Sequence, residues 1–446
     1  MAAMGRHKRF RLNSSQQILV GFALMIFIGG LLLMLPVSSR AGNATPFIDA
    51  MFTAVSAGCV TGLIVFDTAT YWSAFGQFVI IVLIQIGGLG IITMTILFAR
   101  ILGRRIGLAQ RSTLQEAMSV PQIGGIVKLA GRIFRFTIIV EAAGALVMLP
   151  VFIRDFGPAG GAARAFFHSI SAYCNAGFDL MGVTGPFSSL THYASQPVIN
   201  VVIMLLILIG GLGFLTWGDI RTHRLKFRRY STQSKIILVT SLILVLAPAV
   251  FLFFTEFVGE PFPLRIWESL FQSVTTRTAG FNTADMSAYS DSSKLITILL
   301  MLIGGAPGST AGGMKMTTVA VLFIVMISVF RREKYPAAHG RRLGSDVMRQ
   351  AAAVFMLYMC MFLTGGLALS LIEGLPLLDT LFESASAVAT VGLTTGITPG
   401  LGTASKIILM LLMYFGRVGG LTMIFAAVSS KDSGNLKYPE DHVAVG

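Results

Sequence analysis

Apolar residues gather in eight long runs along the chain, at approximately 17–36, 74–99, 126–150, 197–218, 234–255, 295–330, 351–372 and 405–428. A helix needs ~20 mostly apolar residues to cross a hydrocarbon core, so each run predicts a membrane span. The sixth run is broken by GGAPGSTAGG at 304–313. Four shorter apolar segments lie between pairs of runs: FTAVSAGCVTGL (52–63), FHSISAYCNAGF (167–178), FQSVTTRTAGF (271–281) and FESASAVATVGL (382–393). Each starts at Phe, passes through small residues and closes on Gly followed by Leu or Phe. The third copy is one residue shorter. A second small-residue cluster follows each segment: IGGLG at 86–90, IGGLG at 209–213, IGGAPG at 303–308 and FGRVGG at 415–420. A unit repeated in this way is one supersecondary module used four times.

The expected fold is therefore an all-α integral membrane protein of four tandem M1–pore loop–M2 repeats. Eight transmembrane helices and four re-entrant pore helices would surround a central pseudo-fourfold pore. The chain divides into an N-tail (1–16), repeats at 17–102, 103–220, 221–333 and 334–430, and a C-tail (431–446). In the third repeat the second helix is interrupted.

Composition agrees. Hydrophobic residues make up 54% of the chain and charged residues 12%, about half the usual charged share of a soluble domain. The net charge of +14 raises the question of nucleic acid, but the positions of the charges answer it. With the N-terminus inside, 25 of the 34 Lys and Arg residues fall in or beside the inner segments, and 12 of the 20 acidic residues fall outside. That is a strong positive-inside pattern. It predicts cytoplasmic termini, a multi-pass plasma-membrane protein, and no nucleic-acid partner. The basic stretches at 100–111 and 221–229 suit anionic lipid or an acidic partner. The first run, Ile18–Leu35, is longer than the ~7–15 apolar residues of a signal peptide, so it reads as a span.

A segment of about ten helical residues reaches only ~15 Å and must re-enter. Irregular backbone at membrane depth survives only where protein buries it or it lines a wet cavity. Four such segments around one axis give a ring of carbonyls able to replace the hydration shell of an alkali cation. The glycines Gly62, Gly177, Gly280 and Gly392 supply backbone angles that a Cβ would oppose.

The broken sixth run predicts a loop across the ion path. Its small residues Gly304, Gly305, Gly308, Ser309, Thr310, Ala311, Gly312 and Gly313, together with Pro307, do not make a stable helix centre. Lys315 follows directly, and Arg417 lies at the matching place in the last run. A mid-membrane arginine costs ~2.5 kcal/mol or more without partners. Glu141 is the clearest carboxylate in a span; the carbonyls of 304–313 are the alternative partner. Arg417 would then hold the loop and raise a positive barrier to cations.

Other residues carry less. Cys59, Cys174, Arg277 and Ala389 stand three before each key glycine in the four copies; the small ones read as packing behind the ring, and Arg277 as standing behind it or at its outer rim, since a cation facing the ion would oppose it. Cys59, Cys174 and Cys360 are no disulfide framework. His168 and His192 are isolated, and Ser309 lacks a base and orienter, so neither a resident metal nor catalysis is expected. Without a P-loop or a GxGxxG after a strand, nucleotide sensing would need a separate subunit.

These four segments, the 304–313 loop and the tail LKYPEDHVAVG together resemble the Trk/Ktr/HKT superfamily of potassium transporters, most of all its KtrB-type membrane subunit, over essentially the whole chain. The resemblance implies a selectivity filter at Val60, Thr61 and Gly62; Asn175, Ala176 and Gly177; Thr278, Ala279 and Gly280; and Thr390, Val391 and Gly392. It implies an intramembrane gate at 304–313. Glycine at all four key positions favours potassium, whereas Ser at the first goes with sodium in related proteins. The resemblance further implies potassium as substrate with sodium as a candidate activator, a homodimer with one pore per protomer, and a cytoplasmic nucleotide-binding KtrA-type ring. The rival mechanism is an alternating-access cation symporter, which more often shows inverted repeats and charged midplane sites.

Overall fold

The computed structural model describes residues 13–90, 93–94, 107, 113, 125–224, 226–420 and 422. The expected C-tail, the basic stretch at 100–111 apart from Gly107, and the far ends of the second and eighth runs lie outside the described residues.

The described residues are overwhelmingly helical. Helix α1 (Ser14–Met34) opens on a capping box between Asn13 and Gln16. The short helix α2 (Phe47–Gly58) follows, then α3 (Ala74–Leu89), the long α4 (Ile126–Cys174), α5 (Pro197–Gly211) and α6 (Phe214–His223). Next come α7 (Thr232–Thr255), α8 (Phe262–Thr275), α9 (Asp291–Leu302) and α10 (Met316–Phe330). A two-stranded hairpin, Ala337–Ala338 with Arg341–Arg342, leads into α11 (Ser345–Glu373), α12 (Leu377–Val388) and α13 (Thr403–Val418).

Four of these helices, α1, α4, α7 and α11, are long and apolar enough to cross a membrane. Their outward faces carry side chains such as Leu371, 85% exposed, and Phe254, 68% exposed. Apolar surface of that extent is what a bilayer covers. By contrast α2, α8, α12 and the last turns of α4 turn inward. Phe52, Phe271 and Phe382 are wholly buried, and Phe167 nearly so.

Proline sets where these inner helices begin. Pro46, Pro261 and Pro376 sit at the N-caps of α2, α8 and α12, where a missing N–H costs nothing. In α4, Gly157 takes φ 73° and ψ 173° just before Pro158, so one continuous element is two helices meeting at a kink. The third apolar run and the second short segment are thus joined without an intervening loop.

Only the sixth apolar run was expected to be interrupted; the structure breaks the others in its class too. Helix α3 ends where Gly90 takes φ 84°. The fourth run bends by 97° between α5 and α6, at Gly213 with φ 82°. Helix α13 ends where Gly419 takes φ 91°. The second, fourth and eighth runs are therefore not straight spans. In each, a glycine of the small-residue cluster enters a conformation other residues resist.

The packing is cyclic. Helix α13 lies against α2, α3 against α4, α5 against α8, and α9 against α12. Each inner helix thus rests on the helix that follows the inner helix of the copy before it, and the last element returns to the first.

Candidate functional site

After each inner helix the chain enters left-handed backbone twice. The first such residues are Val60, Asn175, Thr278 and Thr390, with φ of 59°, 60°, 67° and 53°. Two positions on stand Gly62, Gly177, Gly280 and Gly392, with φ of 97°, 69°, 80° and 92°. Alternating hands send successive N–H groups to one side, as in backbone nests, and leave carbonyls on the other. The glycines were expected; the non-glycine positions were not. A β-branched residue at positive φ is an outlier, costing ~1–3 kcal/mol and kept only where its surroundings over-determine it.

Those surroundings are visible. The Thr61, Ala176 and Val391 amides each donate to a serine carbonyl five residues back, Ser56, Ser171 and Ser386, all at 2.8 Å. The third copy, one residue shorter, makes the same closure from Ala279 to Thr275 four residues back, at 3.0 Å. Ser56 Oγ also accepts from the Gly62 amide at 3.1 Å, and Ser386 Oγ from the Gly392 amide at 3.0 Å. In the second copy Ser171 Oγ has no partner.

The four glycines meet. A Cβ at Gly62 would stand 2.6 Å from the Ala176 carbonyl oxygen, and one at Gly177 would stand 2.8 Å from that of Ala279. Gly280 faces the Val391 carbonyl oxygen and Gly392 that of Thr61, closer still. The order 62, 177, 280, 392 and back to 62 is a closed ring lined by backbone oxygen. Thr61 Oγ1, Asn175 Oδ1 and Thr390 Oγ1 are buried there without a hydrogen-bond partner. An oxygen-rich, acid-free ring of this kind suits a partly dehydrated monovalent cation.

Behind the ring, Cys59 and Cys174 are fully buried. Arg277 is buried too. Its guanidinium donates to the Ser241 carbonyl at 2.9 Å and the Ser241 hydroxyl at 3.1 Å, so its charge stands off the axis.

The segment 303–315 is unwound and lies against the ring. Gly313 approaches the Ala389 carbonyl, and Gly312 abuts the Thr390 hydroxyl. Backbone bonds pin the loop on three sides. Ala306 and Thr310 amides donate to Gly211 and Gly210 carbonyls, Gly313 to Gly416, and the Phe214 amide to Gly308. Thr310 Oγ1 donates to the Tyr173 carbonyl at 2.9 Å. The break after α5 and the last turn of α13 are thus where other segments of the chain bond the loop.

Arg417 completes the attachment. Its guanidinium donates to the Thr310 carbonyl and, at 2.5 and 2.9 Å, to those of Gly87 and Gly88. Lys315 Nζ donates to the Ala311 carbonyl at 2.7 Å. Among the described residues neither cation has a carboxylate partner. Glu141, the carboxylate weighed as a partner for Arg417, instead accepts from Gln85 Nε2 at 3.3 Å. Both cations line a cavity of about 220 Å³ shared with Gly308, Ser309, Ala311 and Gly313.

Two residues that sequence reasoning set aside or passed over also belong here. His168 and Glu383 each follow the phenylalanine of an inner helix, and each bonds to the chain beyond the ring. The shared register is the only signal that marks them.

Comparison with known proteins gives consistent matches. The family model described as TrkH, cation transport protein, matches residues 5–437. The chain is 38% identical to the potassium/sodium uptake protein NtpJ of Enterococcus hirae, covering 100% of both chains. It is 39% identical to the Ktr system potassium uptake protein B of Bacillus subtilis over 98% of each. Among solved structures, the potassium transporter TrkH of Vibrio parahaemolyticus superposes with a TM-score of 0.74 at 18% identity, covering 96% of this chain and 87% of that one.

Proposed function

The chain belongs to the TrkH family of cation transport proteins, and from that membership and the glycine ring we propose that it takes up potassium through a central pore. It is a transport protein of the membrane and not an enzyme. On this reading the fold is four M1–pore loop–M2 repeats about the ring, in the plasma membrane with both termini cytoplasmic. The cyclic packing of inner on outer helices supports it.

The filter is Val60–Gly62, Asn175–Gly177, Thr278–Gly280 and Thr390–Gly392. The observation that carries this is the close approach of each glycine to the middle carbonyl of the next segment. Neutral backbone oxygens pay the dehydration of a large alkali ion, while the ring offers no carboxylate that would favour a divalent one. The loop Gly304–Gly313 is the gate. Its support is position: it abuts Thr390 and Ala389 directly, where an ion leaving the filter must pass. Arg417 and Lys315 hold the gate by carbonyl bonds, and the guanidinium of Arg417 leaves an uncompensated positive charge beside the path, which raises the barrier to cations until the loop moves.

Relatives named as parts of a Ktr system support a multi-subunit assembly. We assign this chain as its ion-translocating subunit, a homodimer regulated by a cytoplasmic nucleotide-binding ring, with sodium as an activator. The test is flux into proteoliposomes driven by a potassium gradient. Rapid rubidium entry, blocked by unlabelled potassium and raised by sodium, is expected. Entry that needs a stoichiometric co-ion, with no flux down a rubidium gradient alone, would establish a carrier in place of a pore.

A further inference from the structure

We propose that the residue following the inner-helix phenylalanine positions the outer end of the filter, and that His168 in this place makes potassium selectivity sensitive to outside acid. This rests on the filter assignment above and extends it to residues that touch no ion.

The register is common to the four copies: Thr53, His168, Gln272 and Glu383 each stand one after Phe52, Phe167, Phe271 and Phe382. In three of them the side chain leaves its own helix and bonds to the chain beyond the filter glycine. Glu383 is fully buried. Its carboxylate accepts from the Thr395 amide at 3.2 Å, the Thr398 hydroxyl at 2.7 Å and the Thr394 hydroxyl. Thr394 Oγ1 in turn accepts from the Gly396 amide at 2.9 Å, so its one proton is directed at Glu383. His168, also fully buried, does the same work with Leu180, whose amide donates to Nε2 at 3.3 Å. The reach is twelve residues in both copies. Gln272 Nε2 donates to Met286 Sδ at 3.0 Å. Thr53 bonds only to the Asp49 carbonyl of its own helix.

His168 differs from the others in that its latch requires one protonation state. Nε2 accepts the Leu180 amide, so Nδ1 carries the proton and donates to the Arg164 carbonyl at 2.7 Å. A second proton on Nε2 would set two donors against each other and release Leu180, three residues beyond Gly177. The groups facing the ring are few. On its own helix Arg164 lies one turn back, with its guanidinium over Phe156. Across Phe152 lies Tyr193, bonded to Asp155. Next to Leu180, Asp179 accepts from the Met181 amide. From the third copy only Phe281 approaches. None of these bonds to the imidazole in a way that would replace Leu180.

Rubidium and sodium fluxes into proteoliposomes, measured with the outside taken from about pH 7.5 to about pH 3.5 and the inside held constant, test this directly. Wild-type protein should lose at least about threefold of its rubidium-over-sodium preference at the acid end. In a Glu383→Gln background, which removes the other titratable latch, His168→Gln keeps a neutral acceptor in place and should hold its preference across the range. His168→Phe should show reduced preference at both ends. Glu383→Gln alone should lower preference throughout and keep only the acid loss at the low end of the range, the part that His168 supplies. The same acid loss in Glu383→Gln and in the Glu383→Gln/His168→Gln double variant, with both selective at neutral pH, would overturn the latch and leave the filter assignment intact. No preference for rubidium in wild type at any pH would overturn the filter assignment itself.

Discussion

Lys406 Nζ lies 2.8 Å from the Asp49 carboxylate, 357 positions away in the chain. Asp49 is in the first turn of α2 and Lys406 in the first turn of α13, so this pair joins the last outer helix to the first inner one and closes the ring. Lys294 on α9 meets Asp379 on α12 in the same way, at 3.2 Å. Both acids sit at helix N-termini, where the dipole favours them. The other two junctions lack such a pair: the corresponding outer-helix residues are Gln77 and Asn200, and each donates to carbonyls near its own helix start. Side chains only 12% and 16% exposed place the closing pair between a surface bridge and a buried one. Asp49→Ala or Lys406→Ala should therefore each destabilise the protein by about 2 kcal/mol, read as a lower midpoint of thermal unfolding in detergent. The double variant should cost clearly less than the two singles together. Additive losses would show that the pair does not couple the ends of the ring.

The closeness of the ring makes Gly62→Ser a sharp probe. A Cβ there meets the Ala176 carbonyl oxygen at 2.6 Å, and that atom is backbone. The oxygen must yield, the first and second segments must part, and the hydroxyl brings a new ligand with a different field. Rubidium-over-sodium flux should fall about tenfold, equivalent to ~1.4 kcal/mol in relative barrier, while the folded protein remains. Gly62→Ala separates crowding from the hydroxyl: a similar loss in both variants assigns the effect to the Cβ.

Much of this was legible in the chain, for reasons that can be named. Four glycine-closed segments repeat in sequence, so Gly62, Gly177, Gly280 and Gly392 identified themselves. So did the unwinding at 304–313, where small residues outnumber any helix signal. Breaks at Gly90, Gly213 and Gly419 were not legible, because a glycine cluster in an apolar run reads equally as a tight packing face, and each glycine costs a helix only ~1 kcal/mol. What decides them is tertiary: the Phe214 amide turns to the Gly308 carbonyl from a different part of the chain. The left-handed angles of Val60, Thr278 and Thr390 carry no sequence signal at all, since β-branched residues do not favour them. Prolines 46, 158, 261 and 376 did carry one, marking helix starts, and were passed over. His168 and Glu383 gave only a position; their partners twelve residues on appear when the chain after the ring is in place.

Ser56, Ser171 and Ser386 occupy equivalent positions and predict unequal effects. The first and third have hydroxyls that accept from the Gly62 and Gly392 amides; the second has a hydroxyl without a partner. Ser56→Ala or Ser386→Ala leaves a buried filter amide unpaired, at a cost of ~1–3 kcal/mol. Ser171→Ala removes no bond. Thermal midpoint and cation preference should both drop in the first two variants and stay near wild type in the third. Equal effects at all three positions would mean that the hydroxyls act by packing and not by holding the amides.

Arg417 predicts the direction of gating. Its guanidinium ties the Thr310 carbonyl, which belongs to the loop, to the Gly87 and Gly88 carbonyls at the end of α3. Arg417→Gln retains a donor but loses the charge and the fork that spans two elements. Two consequences follow, and they act together. The loop loses its strongest attachment, and the positive barrier beside the cavity falls. Rubidium flux at a fixed gradient should rise about tenfold. Deleting Ser309–Gly312 removes the loop's contact with Thr390 and should raise flux further, with a smaller change in rubidium-over-sodium preference than Gly62→Ser gives, since the loop takes no part in the glycine-to-carbonyl contacts of the ring. Lys315→Gln removes the loop's own bond to Ala311 while leaving the Arg417 tie and charge in place, so a smaller rise there measures what the Arg417 fork and charge contribute. If flux stays flat or falls in Arg417→Gln while the filter variants behave as expected, the loop is a structural plug held by its backbone bonds, and the gate must be sought elsewhere along the path.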